Sequence, residues 1–233
     1  MLLSDFHNLH KGETCIIAGV GPNLKLTPPE LFDYPSFGVN TIYKYLGWQP
    51  TYFVGVDNRL MVEDGEMIAD VYRNVIKFVP APDFNSLEGD NFYRFKHRTT
   101  GEIAQGGKLA NHKDALTQNG IYYRRVMDAV FQIAWHMGFT TMLTIGIQHK
   151  PHDEQDADRQ HFWGLDAQAV PNQPFDFWFD GYRECVRMMN DVQVLNISAD
   201  TYVPVDVLPR DDWMNWMSKP MKYFNDMKAV ECI

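Results

Sequence analysis

The residues best placed for chemistry begin at Gly19-Val20-Gly21-Pro22-Asn23, a turn that breaks off the apolar run Cys15-Ile16-Ile17-Ala18. A buried strand ending in such a turn lets a phosphate or ribose approach backbone N–H groups, because glycine places no side chain in the way. The turn departs from the dinucleotide pattern G-x-G-x-x-G: Pro22 follows the second glycine and a third glycine is missing. A second group, His149, His152, Asp153, Glu154, Asp156, Asp158 and His161, gathers imidazoles and carboxylates in one stretch. Such side chains can hold a divalent cation, although an acidic polar run serves equally as a solvated loop. Asp57 closes another apolar run, where it suits a ribose hydroxyl, a metal, or the cap of a following helix.

The elements that must position these residues alternate between strand and helix. Apolar, β-branched and aromatic runs predict strands at Cys15–Ala18, Tyr34–Asn40, Thr51–Asp57, Asn74–Val79, Thr141–Ile147 and Val192–Ile197. Helical spacing marks Met61–Val71, Ile121–Met137 (stopped by Gly138) and Phe177–Met189. Residues 83–117 carry no clear period and read as an irregular, substrate-facing excursion. Strands apolar on both faces imply an α/β, Rossmann-like fold: a mostly parallel sheet with helices on both faces. The expected division is a nucleotide-binding domain over residues 1–200 and a C-terminal extension or lid over 201–233, where Trp213, Trp216 and Met217 stand at helical spacing, as core or lid packing or else as an acceptor platform. In such a sheet the ligand lies over the carboxyl ends of the strands. Gly19 to Asn23, Asn40, Asp57, Gln148-His149 and Ser198 are therefore expected to cluster.

Composition excludes other classes. The chain has 233 residues, 45% of them hydrophobic and 14% aromatic, enough for a substantial core. A net charge of −9 without a basic run argues against a nucleic-acid surface. No run reaches the roughly 18 apolar residues of a membrane span. No basic segment followed by an apolar one marks a secretory signal at the start. Cys15, Cys185 and Cys232 are distant and odd in number, which suits reduced thiols and a cytoplasmic location.

Three blocks carry a resemblance: Ile17-Ala18-Gly19-Val20-Gly21-Pro22-Asn23-Leu24, Phe37-Gly38-Val39-Asn40-Thr41-Ile42-Tyr43 and Pro50-Thr51-Tyr52-Phe53-Val54-Gly55-Val56-Asp57. With Asn119-Gly120-Ile121-Tyr122, Met137-Gly138-Phe139, Ile145-Gly146-Ile147 and His161-Phe162-Trp163, they resemble in order the motility-accessory-factor glycosyltransferase domain. That family is related to bacterial sialyltransferases that use CMP-sialic acid. The resemblance spans about residues 10 to 200. It implies that Gly19, Gly21, Pro22 and Asn40 hold a cytidine nucleotide, with Asn119 and Gly120 contacting it from the head of a helix. It also implies a histidine base between the Ile145-Gly146-Ile147 strand and the last helix. His161 is nearest in context, with His149 at the strand end as the reserve. Two departures stand out: Val20 replaces the asparagine that the family carries between the glycines, and Gln148 replaces its acid.

An inverting sugar transfer needs a base for the acceptor hydroxyl and groups that stabilise the departing phosphate. A histidine of ordinary pKa near 6.5 serves as the base, and Tyr122, Arg124 and Lys150 are phosphate candidates. The expected partners are a nucleotide-sugar donor, CMP-linked, and a glycan or other hydroxyl acceptor, with self-association left open. No metal or other cofactor is implied. An alternative is a Mg-dependent pyrophosphoryl transferase of the hydroxymethylpterin diphosphokinase type, a name the same family also carries; its metal would need acids that only Asp57 offers at a strand end. A non-catalytic nucleotide-binding relative is a further alternative.

Overall fold

The computed structural model describes residues 3–81, 91–97, 120–121, 123–150, 161–163 and 175–217, with backbone alone over 175–178. Among the described residues seven strands form one sheet: β1 (Thr14–Ala18), β2 (Ser36–Val39), β3 (Tyr52–Val54), β4 (Ile76–Ala81), β5 (Phe92–Lys96), β6 (Thr141–Ile145) and β7 (Gln193–Asn196). Every pairing is parallel, in the order β5-β4-β3-β2-β1-β6-β7. The chain thus winds outward from β1 to the β5 edge, returns, and lays β6 on the opposite side of β1. β1 and β6 flank the point where the strand order reverses, and their register from Thr14↔Thr141 to Ala18↔Ile145 ends both at one level.

Alternating side chains divide the core between the faces. Cys15, Ile17, Phe37, Val39, Tyr52, Val54, Phe78 and Met142 pack with the helices α2 (Val126–His136) and α3 (Phe175–Met188). Ile16, Ala18, Phe53, Val79, Leu143 and Ile145 face α1 (Asn58–Val71) and the 3-10 turn Asn40–Lys44. α2 is buried from Met127 to His136, apolar nearly all round because it lies between sheet and α3. Val203, Val207 and Leu208 are buried in the first of these clusters, so the chain after β7 packs into the core before the 3-10 turn Trp213–Trp216. Cys15 and Cys185 are free and buried.

Three sequence expectations differ. Residues 92–96, inside the stretch read as irregular, form edge strand β5, whose Arg94 and Lys96 hide the strand pattern. β4 runs through Pro80 to Ala81 and pairs Pro80 with Phe95, so the proline sits within the strand's end instead of stopping it. The long helix begins at Val126, not Ile121: Ile121 donates its N–H to the Lys96 carbonyl at 2.8 Å and bridges His97 in extended conformation. Gly120, at φ +74°, makes the turn that brings it there, and a Cβ on it would lie 2.5 Å from the Lys96 oxygen.

Candidate functional site

The strand-order reversal between β1 and β6 leaves a crevice at their carboxyl ends, where open α/β sheets take ligands. Two glycine turns meet there. Gly19 donates its N–H to the Ile145 carbonyl at 2.8 Å, and Gly21 donates to the Gly146 carbonyl at 2.7 Å. A Cβ on either Gly19 or Gly21 would fall 2.7 Å from the Gly146 oxygen. The glycines therefore allow two backbones to touch, and these two N–H groups are donated within the protein. That differs from the expectation of glycine amides facing a phosphate. Asn40 stands at the end of the neighbouring strand at φ +44°, its Oδ1 accepting the Val56 N–H at 3.3 Å. Asp57 caps α1, its Oδ1 accepting from the N–H groups of Arg59 at 3.0 Å and Leu60 at 3.4 Å. Between the ribose, metal and cap readings, the hydrogen bonds are those of a cap.

The chain after β7 straps this end of the sheet together. Asn23 donates its amide to the Ala199 carbonyl at 2.8 Å, Thr201 donates its hydroxyl to the Ile147 carbonyl at 2.6 Å, and Gln148 donates to Asp200 at 3.1 Å. Asn23 is 1% exposed, and among the described residues its Oδ1 has no hydrogen-bond partner. Gln148 thus ties the end of β6 to the strap.

The two histidines lie on opposite faces of the strand ends. The Phe162 N–H donates to the Val20 carbonyl at 3.1 Å, which seats His161-Phe162-Trp163 on the glycine turn. The partly exposed His161 ring lies parallel to Trp163, with centroids 4.4 Å apart and planes at 8°. Phe162 and Trp163 pack with the α1 face, while the Phe179 and Tyr182 rings beside His149 belong to the α2–α3 face; Val20 packs against both. Lys44 stands over Trp163, its Nζ 5.2 Å from the ring centroid.

His149, in the left-handed region at φ +48°, shares a 2.8 Å hydrogen bond between its Nε2 and the hydroxyl of buried Tyr182. Burial, and then the Arg125 guanidinium, push its pKa down to about 4. Asp128, on the first turn of α2, accepts the N–H groups of Arg124 at 3.0 Å and Arg125 at 3.2 Å, while burial pushes its pKa up to about 6. Burial raises the Tyr182 phenol, with Asp128 adding to it. Arg125, Asp128 and Tyr182 were not found by sequence reasoning; a lone acid in the first turn of an apolar helix is the only signal. Arg124, a phosphate candidate, pairs with Glu184 at 3.5 Å.

The structure thus brings together Gly19, Gly21, Pro22, Asn23, His149 and His161, with Asn40 one strand away. It sets Gly120 apart, beyond the end of β5, with β4, β3 and β2 standing between. Asn119, Tyr122 and residues 152–158 lie outside the described residues. Among the described residues no group of three or more metal-ligating side chains occurs, and no helix is long and apolar enough to cross a membrane.

No protein-family model matches this chain, and no curated protein does. Solved structures do. The fold is shared with a sialyltransferase. One is the sialyltransferase CstII from Campylobacter jejuni with a substrate analogue, cytidine-5'-monophosphate: TM-score 0.55, 13% identity, covering 91% of this chain and 89% of that one. Another is the sialyltransferase CST-II with a trisaccharide acceptor and CMP: TM-score 0.54, 14% identity, covering 90% and 89%. The sequence resemblance accordingly narrows to this sialyltransferase fold; neither the motility-accessory-factor name nor the pterin diphosphokinase name finds a structural counterpart in these neighbours.

Proposed function

We propose that this protein is a glycosyltransferase that moves a sialic-acid-like sugar from a CMP-linked donor to an acceptor hydroxyl, with His161 as the base. The observation that carries the reading is the arrangement at the fold's reversal point: both glycine turns meet there, and the Phe162-to-Val20 hydrogen bond holds His161 on one of them. Solved neighbours of the same fold carry CMP, and one of them also carries a trisaccharide acceptor.

The choice between the histidines follows from their partners. Buried Tyr182 makes its hydrogen bond to His149 Nε2, and a buried hydroxyl that donates needs that nitrogen as acceptor. His149 is then a neutral ring with its acceptor nitrogen occupied, and a pKa of about 4 makes it a weak base near neutral pH. His161, stacked on Trp163 beside the glycine turn, is the better-placed group. In the proposed step a ring nitrogen of His161 takes the acceptor's O–H proton. The freed oxygen electron pair bonds to the anomeric carbon, and the bond from that carbon to the phosphate oxygen breaks. CMP leaves with that electron pair, inverting the sugar. Lys150, directly after His149 at the β6 exit, is the basic residue proposed to offset the leaving charge. This reading requires no metal ion.

The test is a pair of measurements in EDTA. CMP should raise the melting temperature by mass action, and CMP-sialic acid should serve as donor. His161→Gln should keep the CMP shift and lose about 10²- to 10⁴-fold in transfer rate. A CMP shift that needs Mg²⁺, or full activity in His161→Gln with loss in His149→Gln, overturns the assignment.

A further inference from the structure

We propose that Lys44 selects an acceptor that carries a carboxylate. The inference rests on the transferase reading above, because it takes the acceptor to lie against His161.

Lys44 closes the 3-10 turn that follows Asn40, so the end of β2 delivers it to the same edge of the sheet as the glycine turn. Its Nζ stands 5.2 Å from the Trp163 centroid and 5.8 Å from that of Tyr43. Trp163 in turn carries the stacked His161 ring. One indole therefore links the proposed base to one ammonium group.

The surroundings leave that ammonium group uncommitted. The carboxylates at the two tyrosines each accept a phenol hydroxyl: Tyr43 donates to Asp64 at 2.6 Å and Tyr45 donates to Glu30 at 2.9 Å. Among the described residues Lys44 makes no ion pair and no hydrogen bond; ring faces are its contacts, and it is partly exposed. A cation held by aromatic rings alone has no acceptor atom on its N–H donors and can still turn some of them to an anion. With a net charge of −9, the protein's overall field disfavours an acidic acceptor, so a local cation beside the base decides whether one is accepted.

Two anions are at issue, the carboxylate of an acceptor and the phosphate of the donor. The chain order favours the first. Trp163 carries both the Lys44 ammonium and the ring of His161, the base proposed to face the acceptor hydroxyl, and it follows Phe162, which the glycine turn holds through its backbone.

The experiment titrates the full chain, with CMP present, against two acid–ester pairs. These are the methyl glycosides of glucuronic acid and of a sialic acid, each compared with its carboxyl methyl ester; heat of binding is the readout. The wild type should bind at least one acid about tenfold more tightly than its ester, the size of one charge-assisted hydrogen bond. K44R should keep that preference, and K44M and K44Q should abolish it while leaving CMP affinity unchanged. Melting curves without ligand establish that the variants fold. Acid and ester binding alike to the wild type, or an unchanged preference in both K44M and K44Q, overturns the proposal. Loss of CMP affinity in these variants overturns it too, assigning Lys44 to the donor phosphate. Absence of transfer from any CMP-sugar, with the acid preference still dependent on Lys44, would count against the transferase reading alone.

Discussion

Within the cluster beside β6, two neighbouring groups bind protons in opposite senses. His149 is held at about 4, below its ordinary 6.5, by burial and by Arg125, while burial lifts Asp128 from 3.8 to about 6. Below pH 6.5 an unfolded chain protonates its histidine but the folded chain keeps His149 neutral, so stability is lost as pH falls from 6.5 towards 4. Asp128 does the reverse: the folded chain holds a proton that the unfolded one has released, so stability is lost as pH rises from 3.8 to about 6. Over their shared range the two slopes oppose one another. Melting curves from pH 4 to pH 6.5 should therefore separate the variants. Relative to wild type, Asp128→Asn should gain stability more steeply with rising pH, and His149→Gln should tilt the opposite way. Parallel profiles in all three proteins would show that the pair does not titrate as described. His149 was legible in the sequence because it ends an apolar run. Its partners were not, because Arg125, Asp128 and Tyr182 are brought together only by the packing of α2 on α3.

The turns between elements explain more of the glycine pattern than a ligand does. Gly146 adopts φ +65°, and a Cβ on it would lie 2.6 Å from the Gly19 carbonyl oxygen. That oxygen is backbone at the exit of β1, where the Gly19 N–H is bonded to the Ile145 carbonyl, so it cannot move aside cheaply. Gly146→Ala should cost about 1–3 kcal/mol, read as a lowered melting temperature. Gly12→Ala is the comparison: φ is +85° there too, but nothing lies within 4 Å of the added Cβ, so it should cost less. Equal losses would mean that conformation alone, not the contact of β1 and β6 turns, demands the glycine. The same elements show what a single sequence reveals. β1, β3 and β6 are buried on both faces and read as continuous apolar runs. β5 is an edge strand with Arg94 and Lys96 at the surface, the charged dress that edges carry against stray pairing. Its partner is chosen at long range by β4, and local composition does not encode that choice.

For the molecule as a whole, the β1–β6 seam is where two halves of one sheet meet. β1 to β5 run to one side, β6 and β7 to the other, and the strap at Ala199 to Tyr202 crosses back by hydrogen bonds to Asn23, Ile147 and Gln148. A ligand in this crevice touches the loops of both halves, and binding only the folded, closed arrangement suppresses their local opening. A ligand elsewhere, such as in the 290 Å³ cavity lined by Tyr43, Tyr45, Leu46, Trp48, Gln49 and Val71, would instead quiet α1 and the turn before β3. Hydrogen exchange with and without CMP distinguishes these. Saturating CMP should slow exchange in residues 19–24, 146–149 and 198–203 while leaving 58–71 and 92–96 unchanged. Protection confined to α1 and residues 43–49 would move nucleotide binding to the cavity and away from the glycine turn on which the His161 segment is seated, and so overturn the assignment.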